Sequence, residues 1–124
     1  MKTILIVDDL DFIVRFQKEV ISDLNKEIDI EIVVDSATSY DEAISKIDSS
    51  NYDALMSDVS LNDDKSGIDI AKYIKEKNPK TKTATLSIFN FEDNRVNDYF
   101  DMLLKKPISP QEYKKNLKSL LDIK

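Results

Sequence analysis

The 124-residue chain contains no cysteine and no histidine. Without cysteine there is no thiol nucleophile, no disulfide and no Cys-based zinc or iron–sulfur site. Without histidine the usual general base and the commonest zinc ligand are also missing. No run of apolar residues approaches the ~20 of a membrane helix. The opening Met1-Lys2-Thr3 and four apolar residues are too short for a signal peptide. Positive charge is in deficit, with 18 Lys and Arg against 24 Asp and Glu and a net charge of −6. That balance argues against nucleic acid, whose phosphates need a basic surface. Lys114, Lys115 and Lys118 read as a solvated helix face. No repeat, low-complexity tract or linker interrupts the chain, and its length suits one domain with a core that needs no staple. The expectation is a soluble, cytoplasmic protein with no membrane or nucleic-acid partner. Any chemistry must rest on carboxylates, lysines, hydroxyls and a hard metal.

What is present is an alternation. Residues 3–7, 30–34, 53–57, 82–88 and 100–104 read as short strands rich in Ile, Leu, Val, Met or Thr. Between them run stripes of helical period: Phe12, Phe16, Val20 and Leu24; Tyr40, Ala43, Ile44 and Ile47; Ile70, Ala71 and Ile74; Tyr113, Leu117, Leu120 and Leu121. All read as core. Ser39 with Glu42 predicts a capping box, and Ser109-Pro110 a helix start with proline at its first position. Ser66 and Asn90 are candidate caps for the third and fourth helices, and Asn78-Pro79 ends the third. Five β-α units imply a parallel sheet with helices on both faces. The polar-apolar alternation of Ile30-Glu31-Ile32 suits an edge strand, whereas the first and third strands are continuously apolar, as central strands are. Strand order 2-1-3-4-5 follows, with a switch point between strands 1 and 3.

Four strand ends carry chemistry: Asp8-Asp9, Asp58, Ser87 and Lys106-Pro107. Ligands of such sheets sit at the carboxyl ends of the strands, so these groups are expected to converge. Adjacent carboxylates disfavour each other's ionised form and call for a cation. An all-oxygen set suits Mg²⁺, with Mn²⁺ as the alternative. Asp8, Asp9 and Asp58 contribute −3 and Lys106 +1, and one Mg²⁺ balances the remaining −2. Such a cluster stabilises in-line phosphoryl transfer by positioning and electrostatics. Asp58-x-Ser60-x-Asn62 begins like a calcium loop, but Asp63 stands where glycine is needed and Asp69 where glutamate is. Asp8-Asp9-Leu10-Asp11 does not supply the Asp-x-Asp of a haloacid-dehalogenase-like phosphatase.

With Ile-Leu-Ile-Val-Asp8-Asp9, Tyr52-Asp53-Ala54-Leu55-Met56-Ser57-Asp58, Ser87 and Leu104-Lys105-Lys106-Pro107 in order, the chain resembles a response regulator receiver domain over its whole length. The resemblance implies a flavodoxin-like (βα)5 three-layer α/β/α sandwich. It makes Asp58 the phosphoacceptor, served by a sensor histidine kinase, a histidine phosphotransfer protein or a small acyl phosphate. It places Mg²⁺ on Asp9 directly, on Asp8 through water and on the backbone carbonyl of Ser60. Ser87 would then bond the phosphoryl oxygen and Lys106 would pair with the phosphate, with Lys106-Pro107 cis. The implied protein is a single receiver over residues 1–124 without an output domain, and not an enzyme. Its phosphorylation would switch a face built from the fourth helix, fifth strand and fifth helix for a downstream protein. The rival readings are a phosphate-independent interaction module and a shuttle passing phosphate between histidines.

Five features depart from the family pattern. Ile88 stands where a small residue is usual, so it blocks a donor, slows hydrolysis or turns aside. Leu103 replaces the usual aromatic switch residue. The loop 59–67 lacks proline at Asn62 and runs about one residue long. Only 18 residues separate Ser87 from Lys106, so the fourth helix, near 91–98, is expected to be short. Phe89, Phe91, Tyr99 and Phe100 gather four of the ten aromatics beside it. Core packing is their default role, and exposure of two or more would mark a partner-binding patch.

Overall fold

The computed structural model describes residues 1–61, 65–88 and 95–124. Strands β1 (Lys2–Val7), β2 (Ile32–Ala37), β3 (Ala54–Ser57), β4 (Lys82–Ser87) and β5 (Met102–Lys105) alternate with helices α1 (Asp11–Asn25), α2 (Tyr40–Ser49), α3 (Gly67–Lys77), α4 (Arg95–Tyr99) and α5 (Pro110–Leu120). All strand pairs are parallel, in the order β2-β1-β3-β4-β5. This is the flavodoxin-like sandwich that the sequence implies. Because side chains alternate across a strand, β1 sends Ile4 and Ile6 to one apolar layer, shared with α1 and α5. It sends Leu5 and Val7 to the other, shared with α2, α3 and α4. The core is therefore double, one layer on each face of the sheet.

Helix ends follow the local chemistry. Ser39 and Ser109 accept the amides of Glu42 and Glu112 at 3.2 and 3.1 Å. The Glu42 carboxylate accepts from Thr38 N at 2.7 Å, one residue before the expected cap. Ser66 N donates to the Asp69 carboxylate at 2.8 Å, and α3 stops before Asn78-Pro79. Asn90, Phe89 and Phe91, like Asn62, Asp63 and Asp64, lie outside the described residues.

Two expectations are corrected, and a third, core packing of the aromatics near α4, holds for the described pair. Strand β2 begins at Ile32 rather than residue 30 and runs to Ala37, at the edge. The Asn25 side chain clamps Ile32, accepting its N–H at 2.8 Å and donating to its carbonyl at 3.0 Å, so pairing starts there. The Phe12-Phe16-Val20-Leu24 stripe does not all reach the core: Phe12 is 59% exposed. Steps of four overshoot the 3.6-residue turn and drift by about 120° over three steps. The buried face is instead Val14, Gln17, Val20, Ile21 and Leu24. Of the aromatics near α4, Phe100 is buried and Tyr99 half-buried against the second layer, so the described pair forms no exposed patch.

Candidate functional site

Strands β1 and β3 are neighbours in register, Val7 beside Ser57, so the residues that follow each leave the sheet at the same level. Backbone bonds fix both exits: Asp8 N donates to Ala37 O at 3.2 Å and Asp58 N to Val7 O at 3.0 Å. Asp8, Asp9 and Asp58 thereby bring carboxylate oxygens within 4.8 Å of one another. The residue that follows β5 supplies the counter-charge. Lys106 N donates to Ser87 O at 2.9 Å, and Lys106 Nζ stands 2.9 Å from both Asp8 Oδ2 and Asp58 Oδ2. Its peptide bond to Pro107 is cis.

Asp58 occupies the centre and is 7% exposed. While Oδ2 takes Lys106, Oδ1 accepts Ser87 Oγ at 2.7 Å and Ser60 N at 3.1 Å. Ser87 Oγ in turn accepts Val59 N at 2.9 Å. Burial pushes the Asp8 carboxyl above the usual carboxylate range, against the opposing pull of Leu10 N–H and Lys106. Burial also works against the charge on Lys106, but Asp58 and Asp8 outweigh it and hold the ammonium above its ordinary value. The anionic cluster is thus only partly compensated by Lys106, which is the situation that favours a bound cation.

All five acidic, hydroxyl and ammonium groups expected from the sequence meet in one place. Ser60 lies at the exposed lip, with its amide on Asp58. Ile88 turns outward, 67% exposed. It lines, with Leu10, Phe12, Phe16 and Ile108, an apolar cavity of about 650 Å³ whose polar floor includes Asp9, Asp58 and Lys106. Leu103 is half-buried in the second apolar layer.

Sequence reasoning missed the residues behind the site. Gly67, the only glycine, opens α3 directly under the Asp58 turn and donates to Val59 O at 2.8 Å. Its solitude at a helix start was the available signal. Thr81, just before β4, and Thr83, Thr85 and Ser87 within it stand at every second position, and all four are buried. Four hydroxyls at period two announced that polar face.

The sequence matches the family profile of the response regulator receiver domain over residues 4–118. No curated protein matches it at the level of sequence. Among solved structures it is similar to a CheY-like receiver domain protein of Methanospirillum hungatei, with 24% identity and a TM-score of 0.86 over 98% of this chain and 94% of that one. It is similar to response regulator TrrA of Thermotoga maritima in complex with Mg²⁺–BeF, with 28% identity and a TM-score of 0.79 over 98% and 100%. It is also similar to chemotaxis protein CheY4 of Vibrio cholerae, with 21% identity and a TM-score of 0.84 over 98% and 99%. Such domains receive phosphoryl groups from kinases or phosphotransfer proteins and signal without being enzymes in the ordinary sense. The acid cluster, its lysine and the profile match together place this chain in the response regulator receiver domain family of two-component signalling.

Proposed function

We propose that this chain is a receiver whose Asp58 accepts a phosphoryl group from a phosphohistidine or a small acyl phosphate. The single observation that carries the reading is Asp58 itself, poised between Lys106 and Ser87 beside two further carboxylates. One Asp58 oxygen attacks phosphorus as the bond to the donor breaks, and Asp58 becomes a mixed anhydride. From a phosphohistidine the electron pair of the N–P bond returns to the imidazole nitrogen, which takes a proton from solvent; from an acyl phosphate the pair of the P–O bond leaves with the carboxylate. Lys106 then pairs with the new phosphoryl charge, and Ser87 donates to one of its oxygens.

Asp8, Asp9 and Asp58, with the Ser60 carbonyl at the lip, would hold Mg²⁺. The ion supplies charge neutralisation at the transferred oxygens when bound. The all-oxygen donor set and the raised Asp8 carboxyl support the fit. The complex of the Thermotoga relative with Mg²⁺–BeF supports it by similarity.

A protein donor must bring its histidine to Asp58 across the apolar rim of Leu10, Phe12 and Ile88, which leaves that rim in contact with it. Output passes through the face of α4, β5 and α5 to a downstream protein. No helix among the described residues is long and apolar enough to cross a membrane, and we place the protein in the cytoplasm with its kinase. The test is intact-protein mass after treatment with Mg²⁺ and acetyl phosphate. One phosphoryl group, absent in Asp58→Asn and without metal, supports the reading; no addition to the native chain overturns it.

A further inference from the structure

A row of buried hydroxyls runs at every second residue from Thr81 to Ser87, and they do not all do the same thing. Thr81 Oγ1 donates to Tyr52 O at 2.7 Å, and Thr83 Oγ1 to Tyr99 O at 2.6 Å. The first ties the segment before β4 to the loop before β3, and the second ties β4 to the end of α4. Thr85, wholly buried, differs: among the described residues its hydroxyl meets Ser87 Oγ at 3.1 Å.

Proton counting gives that contact a direction. A serine hydroxyl has one proton to donate and two lone pairs to accept with, while a carboxylate only accepts. The Ser87 proton is committed to Asp58 Oδ1 at 2.7 Å, and one lone pair takes Val59 N–H at 2.9 Å. What remains on Ser87 is an acceptor, so Thr85 is the donor. The chain reads Thr85 O–H to Ser87 O–H to the Asp58 carboxylate. Donation from behind polarises the Ser87 hydroxyl and strengthens its own donation forward.

We propose that Thr85 is a positioning residue, whose buried hydroxyl holds Ser87 turned toward Asp58 before any phosphoryl group arrives. The proposal rests on the phosphoacceptor reading for its functional consequence, but not for its geometry. A threonine buried two residues before the switch hydroxyl would otherwise be a valine-shaped filler with an unexplained polar atom. With it, the inward rotamer of Ser87 is preset, and phosphoryl acceptance need not wait for the hydroxyl to turn.

The experiment uses the full chain carrying Thr85→Val, which keeps the shape, and Thr85→Ser, which keeps the hydroxyl, each alone and with Ser87→Ala. Thermal unfolding establishes that each variant is folded. Two readouts follow. The first is amide exchange at Val59, whose N–H reports whether Ser87 Oγ still faces it, with no phosphate present. Thr85→Val is expected to lower its protection about fivefold, the equivalent of one net hydrogen bond, and Thr85→Ser to restore it. The second is the rate of phosphoryl uptake from acetyl phosphate with Mg²⁺ at saturating donor. Thr85→Val is expected to slow it about fivefold, and to add nothing further in the Ser87→Ala background, because the two residues act as one unit. Unchanged Val59 exchange overturns the proposal, as does an equal slowing with and without Ser87. Failure of the native chain to take phosphate condemns the phosphoacceptor reading instead, and the exchange result still decides the role of Thr85.

Discussion

Gly67 lies so close behind Asp58 that a Cβ built on it would stand 1.8 Å from the Asp58 carbonyl oxygen. The obstacle is backbone, so no side chain can swing aside to make room. Gly67→Ala must push the start of α3 away from the Asp58 turn. The expected loss is about 3 kcal/mol of stability, read by urea denaturation. Phosphoryl uptake at Asp58 should fall with it, since Ser57 Oγ, itself bonded to that carbonyl at 2.9 Å, would be displaced as well.

Neutralising Asp8 should stabilise the metal-free fold. Burial raises the folded pKa of Asp8, so the folded state binds a proton more readily than the unfolded one. Its contribution to stability is therefore fully present below 3.8 and lost as pH rises through the raised folded value. At neutral pH the charged group is a liability. Asp8→Asn is expected to lift the metal-free unfolding midpoint by about 3 °C while weakening Mg²⁺ binding in calorimetry. A lower midpoint for Asp8→Asn would show that pairing with Lys106 outweighs burial.

Asp101 should respond to acid with the opposite sign. Burial pulls its carboxyl up, but Lys75, 2.7 Å away, and Thr83 N–H, at 2.8 Å, together hold it below its ordinary value. This contribution is complete above 3.8 and disappears as pH falls through the lower folded value. The carboxylate is 41% exposed, so solvent screens the pair and Asp101→Asn should cost only about 1 kcal/mol at neutral pH. Denaturation of native and variant chains should converge in strong acid.

Phe12 and Ile88 should distinguish the two kinds of donor. Both stand exposed around the opening above Asp58. Phe12→Ala is expected to leave uptake from acetyl phosphate within about twofold and stability within about 0.5 kcal/mol. Transfer from a phosphohistidine protein should fall about tenfold, because an exposed aromatic at a contact is a frequent energetic anchor. Ile88→Ala should not accelerate uptake of the small donor, since the side chain already points outward.

The readable parts of the sequence were those set by local rules. Apolar runs that end abruptly in Asp8 and Asp58 fixed β1 and β3, and their continuous hydrophobicity placed them centrally. Ser109-Pro110 marked the start of α5 through the missing proline N–H. The start of β2 was not readable, because Asn25, seven residues earlier, decides it through a side-chain clamp. Phe12 was misplaced because a step of four looks helical in sequence but rotates away from the core. The five site groups were legible as strand-end residues. The orientation of Ile88 and the pressure of Gly67 on Asp58 were not, since both depend on which segment lies behind the turn in space.

The bond from Lys106 to Asp8 joins residues 98 positions apart, and that to Asp58 spans 48. Contacts of such separation close late, after the loop entropy between them has been overcome. During synthesis the acids of β1 and β3 emerge long before their ammonium. A chain paused short of β5 holds them without that counter-charge and without the group that would steady a transferred phosphate. On the proposed reading of Asp58 and Lys106, the complete acceptor site is therefore assembled only when β5 joins the sheet.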